Sequence, residues 1–263
     1  MPKLSVCILT KDDADTVAGA IASATFADEV VVVDNGSTDR TVEIAATLGV
    51  RVVHISVVSF GEMRARAAEA CSHEWILSLD ADERCTPEVR DEILGLLTAV
   101  PAHDGYKVPR RTYMMGRWIK GSGWYPSYRG LQLFRKDRMR YTMDVTHEGY
   151  VLAGTDGPGK LRHDILHFPY RNLEELLHKV NVYSSLGAQK LAVRRVSMWS
   201  AFGHGLGGFL KHYIFKAGFR DGWAGFVIAL GTFEERFYRY AKRTEELNGW
   251  AAPAGQPLPR DPP

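Results

Sequence analysis

The chain has 263 residues, 45% of them hydrophobic and 24% charged, with a formal net charge of +2. These values fit one large folded domain, or a domain with a substantial appendage, and exclude a disordered or fibrous chain. Its three cysteines (Cys7, Cys71 and Cys85) are widely spaced and form no CxxC or Cys/His finger pattern, which argues against a zinc module and for reduced thiols in a cytoplasmic setting.

Taken in chain order, the opening MPKLSVCILT lacks the long apolar core of a signal peptide and reads as a strand over 4–10. Asp13 to Thr25 reads as a helix, with Val17, Ala20, Ile21 and Ala24 on one face. EVVVVDN (29–35) is a second strand, its near-continuous valines expected where both faces of a sheet are covered. Residues 37–49 form a helix with a Ser/Thr/Asp start and Gly49 as its stop. RVVHIS (51–56) is a third strand, 61–72 a helix, and WILSLD (75–80) a fourth strand. Pro87 to Ala99 reads as a helix with proline in its first turn. Such alternation predicts a mostly parallel sheet with helices on both faces.

From residue 105 the pattern changes. YKVPRRTYMMGRWIKG reads as extended chain, GLQLFRK (130–136) as a short strand, and 141–168 as irregular with Gly-rich turns. Residues 172–191 and 198–247 are helical, the second stretch interrupted by glycines. AAPAGQPLPRDPP (251–263) has the composition of a disordered tail. No apolar run approaches the roughly 20 residues that cross a bilayer.

Charge is unevenly spread. Residues 1–106 hold 18 acidic and 8 basic residues, whereas 107–140 hold ten Lys/Arg and one acid, Asp137. An acidic front fits a cation site. A basic middle fits either an anionic partner or a solvated face.

Two stretches carry chemistry. VVVDNGSTDRT ends an apolar strand on Asp34, where ligands of a doubly wound sheet sit, with Gly36 for the turn and Ser37 or Asp39 to cap the helix. WILSLDADE ends another strand in Asp80, Asp82 and Glu83, with the two aspartates at i, i+2 pointing the same way. Carboxylates this close repel unless a positive group sits among them. Oxygen ligands suit Mg²⁺ or Mn²⁺, which share their shell with phosphates. The competing reading is an acidic cluster that caps the helix at Pro87.

Together, the strand ending in Thr10-Lys11-Asp12-Asp13, VDNGSTDRT, the helical Arg64 and LDADE resemble glycosyltransferase family 2. Over roughly residues 4–100 the order and spacing fit its nucleotide-binding half. The resemblance implies a GT-A fold: a Rossmann-like α/β domain, its mostly parallel sheet flanked by helices, with a helical C-terminal extension. Residues 1–104 would bind the nucleotide sugar and 105–170 the acceptor, with 171–250 a helical region associated with membrane or a second subunit. By resemblance, Thr10 and Asp34 line the nucleotide pocket, Asp34 on the base, with Asp12, Asp39, Arg64 and Ala81 nearby. Asp80 and Asp82 form the DXD element that holds the metal, Asp82 as its ligand and Asp80 near the ribose and diphosphate. Asp12-Asp13 stands where the family usually has Asn-Glu, and Ala65 where many members have Asn.

LQLFRKDRMRY, THEGY, LHFPYRNLEELLHKVNVYS and FLKHYIFKAGFRDGWAGF resemble a bacterial subgroup that includes lipopolysaccharide-core β-glucosyltransferases. This implies inverting transfer from a nucleotide sugar, a UDP-sugar favoured, to a glycolipid or oligosaccharide acceptor at the cytoplasmic face of a membrane. An inverting transfer needs a base for the acceptor hydroxyl. Glu148 of VTHEGY is the candidate, with Asp144 as the alternative. His167 could contact metal or diphosphate, or simply pack. Arg129 and Arg135 could meet diphosphate or an anionic acceptor. Trp199, Phe202, Phe209, Tyr213, Phe215, Phe219, Trp223 and Phe226 mix with Lys211, Lys216 and Arg220, as in an interfacial membrane element or in ordinary helix packing. The rivals are the same fold acting on a protein or small-molecule acceptor, and a noncatalytic nucleotide- or nucleic-acid-binding module. A dinucleotide-binding dehydrogenase is disfavoured because no GxGxxG follows the first strand.

Overall fold

The structure, a computed structural model, describes residues 2–57, 59–128, 130–142, 149–154, 157–191 and 197–249. Strands and helices alternate first: β1 (Leu4–Thr10), α1 (Val17–Ala24), β2 (Glu29–Asp34), α2 (Thr41–Thr47), β3 (Arg51–His54), α3 (Phe60–Ala70), β4 (Trp75–Asp80), β5 (Glu83–Cys85) and α4 (Pro87–Thr98). Short strands follow: β6 (Gly105–Lys107), β7 (Arg110–Met114), β8 (Arg117–Trp118), β9 (Leu133–Arg135), β10 (Met139–Tyr141), β11 (Tyr150–Leu152), β12 (Gly159–Lys160) and β13 (Ile165–His167). Then come α5 (Leu173–Gln189), α6 (Met198–Leu210) and α7 (Gly222–Asn248).

A seven-stranded sheet runs in the order β12-β6-β9-β4-β1-β2-β3. β1 lies between β2 and β4, parallel to both, and every one of its residues is buried. Side chains alternate across a strand, so β1 feeds two cores. Leu4, Val6 and Ile8 pack with Val17, Ile21 and Ile93 on one side. Cys7 and Leu9 pack with Met63, Ala67 and Phe134 on the other. β9 is antiparallel to β4. A second sheet, β5-β13-β7-β8, joins the chain just past β4 to two segments from the second half.

Helix starts differ from the sequence reading for local reasons. α2 begins at Thr41 rather than Ser37, because Ser37 closes a turn on Asp34. α4 is capped by Thr86, whose Oγ1 accepts the Val89 N–H, so the acidic cluster does not serve as the cap.

The chain forms two compact units. One comprises residues 1–118 and 124–169, the other 119–123 and 170–263. In the second, α7 packs on α5 and α6, and residues 119–123 are stitched to it where Asp221 accepts the N–H groups of Lys120 (3.0 Å) and Gly121 (2.7 Å).

Candidate active site

The parallel strands set three predicted residues side by side at their carboxyl ends. Thr10 pairs in register with Asp34, and Leu9 with Asp80. Asp34 is 1% exposed. Its carboxylate closes its own turn, accepting the N–H of Gly36 (3.1 Å), the N–H of Ser37 (3.2 Å) and the Ser37 hydroxyl. Gly36 takes φ +79°, a left-handed conformation that glycine adopts without strain. His54 Nδ1 stands 3.4 Å from Asp34 Oδ2. Asn35 locks the next loop, donating to the Val57 carbonyl (3.0 Å) and accepting its N–H (2.9 Å).

The remaining front-half residues knit two loops together. The Asp12 N–H donates to Ser37 Oγ (2.9 Å), and Asp12 Oδ1 accepts the Thr38 N–H (2.7 Å). Asp39 accepts the N–H groups of Ala14 (3.0 Å) and Thr41 (2.9 Å), and Thr10 Oγ1 donates to Asp13 (3.1 Å). Slight desolvation works against the charge on the exposed Asp39, but the Thr41 and Ala14 bonds outweigh it and hold that carboxyl below its usual range. Thr10, Asp12, Asp34 and Asp39 thus shape the rim of the strand edge as well as lying on it.

The carboxylate cluster brings much of its own counter-charge. Arg64 of α3 reaches Asp80 through Nη2, at 3.0 Å from Oδ1 and 3.2 Å from Oδ2, and donates to Ser78 through Nη1 at 3.2 Å. Burial pushes the Asp80 carboxyl up, yet Arg64, Arg110 and His167 together bring it below its ordinary value. Glu83 is fully buried. Its Oε2 accepts the Asp80 N–H (3.0 Å) and the Gln132 amide (3.2 Å), and its Oε1 pairs with Arg110 Nε at 2.6 Å. Burial raises the Glu83 carboxyl to about 6 even though Arg110 opposes the shift. Glu83 therefore orders the loop from beneath.

Asp82 faces a different group. β13 pairs antiparallel with β5, setting His167 opposite Glu83 in register. The Phe168 N–H donates to the Asp82 carbonyl (2.9 Å). His167 Nε2 then lies 3.6 Å from Asp82 Oδ2, while its Nδ1 lies 3.2 Å from Thr112 Oγ1 on β7. Ala81 is buried, its N–H bonded to the Leu9 carbonyl at 3.0 Å. An oxygen and an imidazole nitrogen 3.6 Å apart suit one divalent cation about 2 Å from each. Among the described residues no group of three or more His, Cys, Asp or Glu could hold a metal. Such a cation would complete its shell with diphosphate and water, the usual habit of Mg²⁺.

Several residues of the basic middle are paired within the fold, while Arg117, Lys120, Arg138 and Arg140 stay exposed. Arg111 pairs with Asp164 at 2.8 Å and stacks on Trp118. Lys136 caps the carbonyls of Glu69 (3.1 Å) and Cys71 (2.6 Å). Arg135 corrects an expectation. It pairs with Glu74 (3.2 Å), Asp137 (3.4 Å) and Asp104 (3.6 Å), in register with Trp75 at the start of β4, about 16 Å of strand away from Asp80. It is not placed to meet a diphosphate at the DXD loop. Arg129, Glu148 and Asp144 lie outside the described residues.

The family model of glycosyl transferase family 2 matches residues 5–151. The chain belongs to glycosyltransferase family 2. An uncharacterized glycosyltransferase of Rickettsia typhi is 32% identical, the match covering 93% of this chain and 88% of that protein. The lipopolysaccharide core biosynthesis glycosyltransferase LpsC of Rhizobium meliloti is 30% identical over 88% of each chain. Among solved structures, glucosyl-3-phosphoglycerate synthase of Mycobacterium tuberculosis, in complex with Mn²⁺ and UDP-glucose, is 26% identical over 42% of this chain and 44% of its own. Its TM-score of 0.38 is too low to carry residue roles across. The α/β sheet with its helical C-terminal extension is the GT-A architecture of this family.

Sequence reasoning missed Arg110, Gln132, Thr112 and His54. Arg110 is one of ten basic residues in its stretch, and nothing local distinguishes the one that points inward. Its signal lay in Glu83: a third carboxylate beside a DXD pair needs a cation that two aspartates do not explain.

Proposed function

We propose that this family 2 glycosyltransferase moves a sugar from a nucleotide-sugar donor to a saccharide acceptor of the cell envelope, inverting the anomeric centre, with a divalent cation held by Asp82 and His167. The observation that carries the reading is the β5–β13 pairing. It delivers a histidine from the second half of the domain to the DXD loop, next to the Thr10–Asp34 strand edge. The envelope acceptor is supported by LpsC, a relative over most of the chain whose name places it in lipopolysaccharide core biosynthesis.

In this reading Thr10, Asp12, Asp34 and Asp39 form the nucleoside end of the donor site. Arg64 holds Asp80 ionised and aimed along the strand edge. Glu83 fixes the main chain of the loop through the Asp80 N–H, so that Asp82 is presented in one orientation. Thr112 orients the imidazole of His167 through Nδ1, directing Nε2 toward Asp82. The cation, when bound, stabilises the charge that develops on the departing nucleoside diphosphate. Glu148, with Asp144 as the alternative, takes the proton of the attacking acceptor hydroxyl.

A thermal-shift panel tests the donor half: UDP-, GDP- and ADP-sugars, each with Mn²⁺ or with EDTA. A ligand that binds only the folded state raises the midpoint by mass action. The expected result is stabilisation by one nucleotide class, UDP favoured, in Mn²⁺ only. Equal stabilisation in EDTA would sink the cation assignment. For the base, Glu148→Gln should keep the donor-induced shift and abolish transfer; near-native turnover would move the role to Asp144.

A further inference from the structure

Helix α6 is built inside out. Ala201, Gly205 and Gly208 are buried, and they share one face of the helix. They let α7 approach closely: a Cβ on Gly205 would stand 2.9 Å from the Phe233 ring, and one on Gly208 would stand 2.7 Å from Arg236. The bulky apolar residues lie on the opposite face. Trp199, Phe202, Leu206 and Leu210, spaced i, i+3, i+7 and i+11, are exposed, Trp199 by 85%. A helix that only packed on its own protein would turn the large side chains inward. The pattern continues past the helix, where Ile214, Phe215 (82% exposed), Phe219 and Trp223 (67% exposed) also face outward. Phe209, Tyr213 and Phe226 form the half-buried aromatic cluster beneath.

The charge on this stretch has one sign. Between 197 and 233 the charged residues are Lys211, Lys216, Arg220 and Asp221. The three cations are exposed. Asp221 is buried, its carboxylate committed to the N–H groups of Lys120 and Gly121. Helix α5 exposes leucines too, but its first turn carries Glu174 and Glu175. Among the described residues no helix is long and apolar enough to cross a membrane.

From this we infer that residues 199–223 are an interfacial membrane element, which lays its apolar face among the acyl chains of a bilayer while Lys211, Lys216 and Arg220 meet anionic headgroups. Aromatic side chains at the level of the headgroups, flanked by cations and free of exposed acids, are the features that bind such a surface. The inference does not rest on the donor site, because it needs neither nucleotide nor metal.

The test is co-sedimentation of the full chain, in EDTA, with vesicles of phosphatidylcholine alone or with about one-third phosphatidylglycerol. Two variants are compared, Trp199→Ser/Phe215→Ser/Trp223→Ser and Lys211→Gln/Lys216→Gln/Arg220→Gln. All six side chains are exposed, so both variants should melt near the parent temperature. The parent should pellet with the anionic vesicles and lose binding at high salt. The aromatic variant should bind at least tenfold more weakly. The charge variant should lose about fivefold per cation, on the order of a hundredfold in all. A parent that ignores anionic vesicles, or an aromatic variant that binds them as the parent does, overturns the inference. So does a parent dimer that the aromatic variant converts to monomer without any vesicle binding, since the covering partner is then a second copy.

Discussion

Arg110→Met tests whether Glu83 is a genuine buried anion beneath the DXD loop. Removing one member of a buried ion pair generally costs about 3–5 kcal/mol, because the other charge is stranded. Here the cost is capped, because Glu83 can take a proton. With Arg110 present its carboxyl titrates near 6, against an ordinary 4.5. Each unit of pKa is about 1.4 kcal/mol, so at neutral pH the parent already carries about 2 kcal/mol of burial cost at this group. Without Arg110 the carboxyl stays protonated in the fold, and at pH 7 that costs about 3 kcal/mol relative to the ionised unfolded chain. The difference is about 1 kcal/mol at pH 7 and about 3 kcal/mol at pH 8, and it vanishes near pH 5, where both folded proteins hold the proton. The sign follows from the raised value. The parent loses stability only as pH rises from 4.5 through about 6, whereas the variant keeps losing it above 6. Urea unfolding at pH 5, 7 and 8 reads this directly. A deficit that is the same at all three pH values would refute the buried-anion account, and Glu83→Gln/Arg110→Met should show no extra pH slope.

Three further outcomes follow from other contacts. Asp82→Asn and His167→Ala should each abolish Mn²⁺-dependent stabilisation by the donor nucleotide, and Thr112→Val should weaken Mn²⁺ affinity about tenfold through the lost imidazole contact; a calorimetric Mn²⁺ titration that is unchanged in Thr112→Val removes the orienting role. Glu29 lies low, at about 2: partial burial opposes the shift, but bonds from Ser5, Ser72 and Arg51 overcome it. It therefore supplies up to about 3 kcal/mol above pH 4.5 that disappears as pH falls toward 2, so Glu29→Gln should be less stable than the parent at pH 7 and equal to it at pH 2. Gly61→Ala would place a Cβ 2.5 Å from the Thr142 carbonyl and should lower stability by about 1–3 kcal/mol in a thermal melt, weakening the seat of the helix that carries Arg64.

The first hundred residues were legible because their signals are local. Valine-rich strands, a period of 3.6 in α1 and Pro87 at a helix start each speak within a few residues. That Asp34 and Asp80 end apolar strands was legible for the same reason. The second half was legible in part. β9 falls inside the strand read over 130–136, β7 inside the extended stretch from 105, and α5, α6 and α7 in the helical stretches. β13, by contrast, is three residues long and owes its existence to partners far along the chain, so no periodicity announces it. His167 shows the limit most clearly. LHFPY leaves it open as a metal or diphosphate contact or a packing residue; only the pairing of β13 with β5, some eighty residues earlier, shows that it stands beside Asp82. Arg110 and Arg135 sit in the same basic run, yet one goes under the loop and the other to the opposite end of the sheet.

The acidic front carries a consequence for donor binding that composition alone misstates. Asp80, Asp82 and Glu83 look like a deep negative well. In the fold Arg64 lies on Asp80 and Arg110 on Glu83, while Arg84 donates to the carbonyls of Ala81 (2.9 Å) and Glu83 (2.7 Å) with the field of Asp82 acting on it. Three carboxylates and three guanidinium groups leave the floor of the site near neutral. Those guanidinium groups are held by carboxylates and carbonyls, so they are poorly placed to clamp a diphosphate as well. A neutral floor exerts little pull on a dianionic donor. On the proposed reading the attraction arrives with a cation, at the position that Asp82 and His167 flank. Donor affinity in this glycosyltransferase should then fall with chelation far more steeply than with added salt, the reverse of a site that binds phosphate through exposed lysine and arginine.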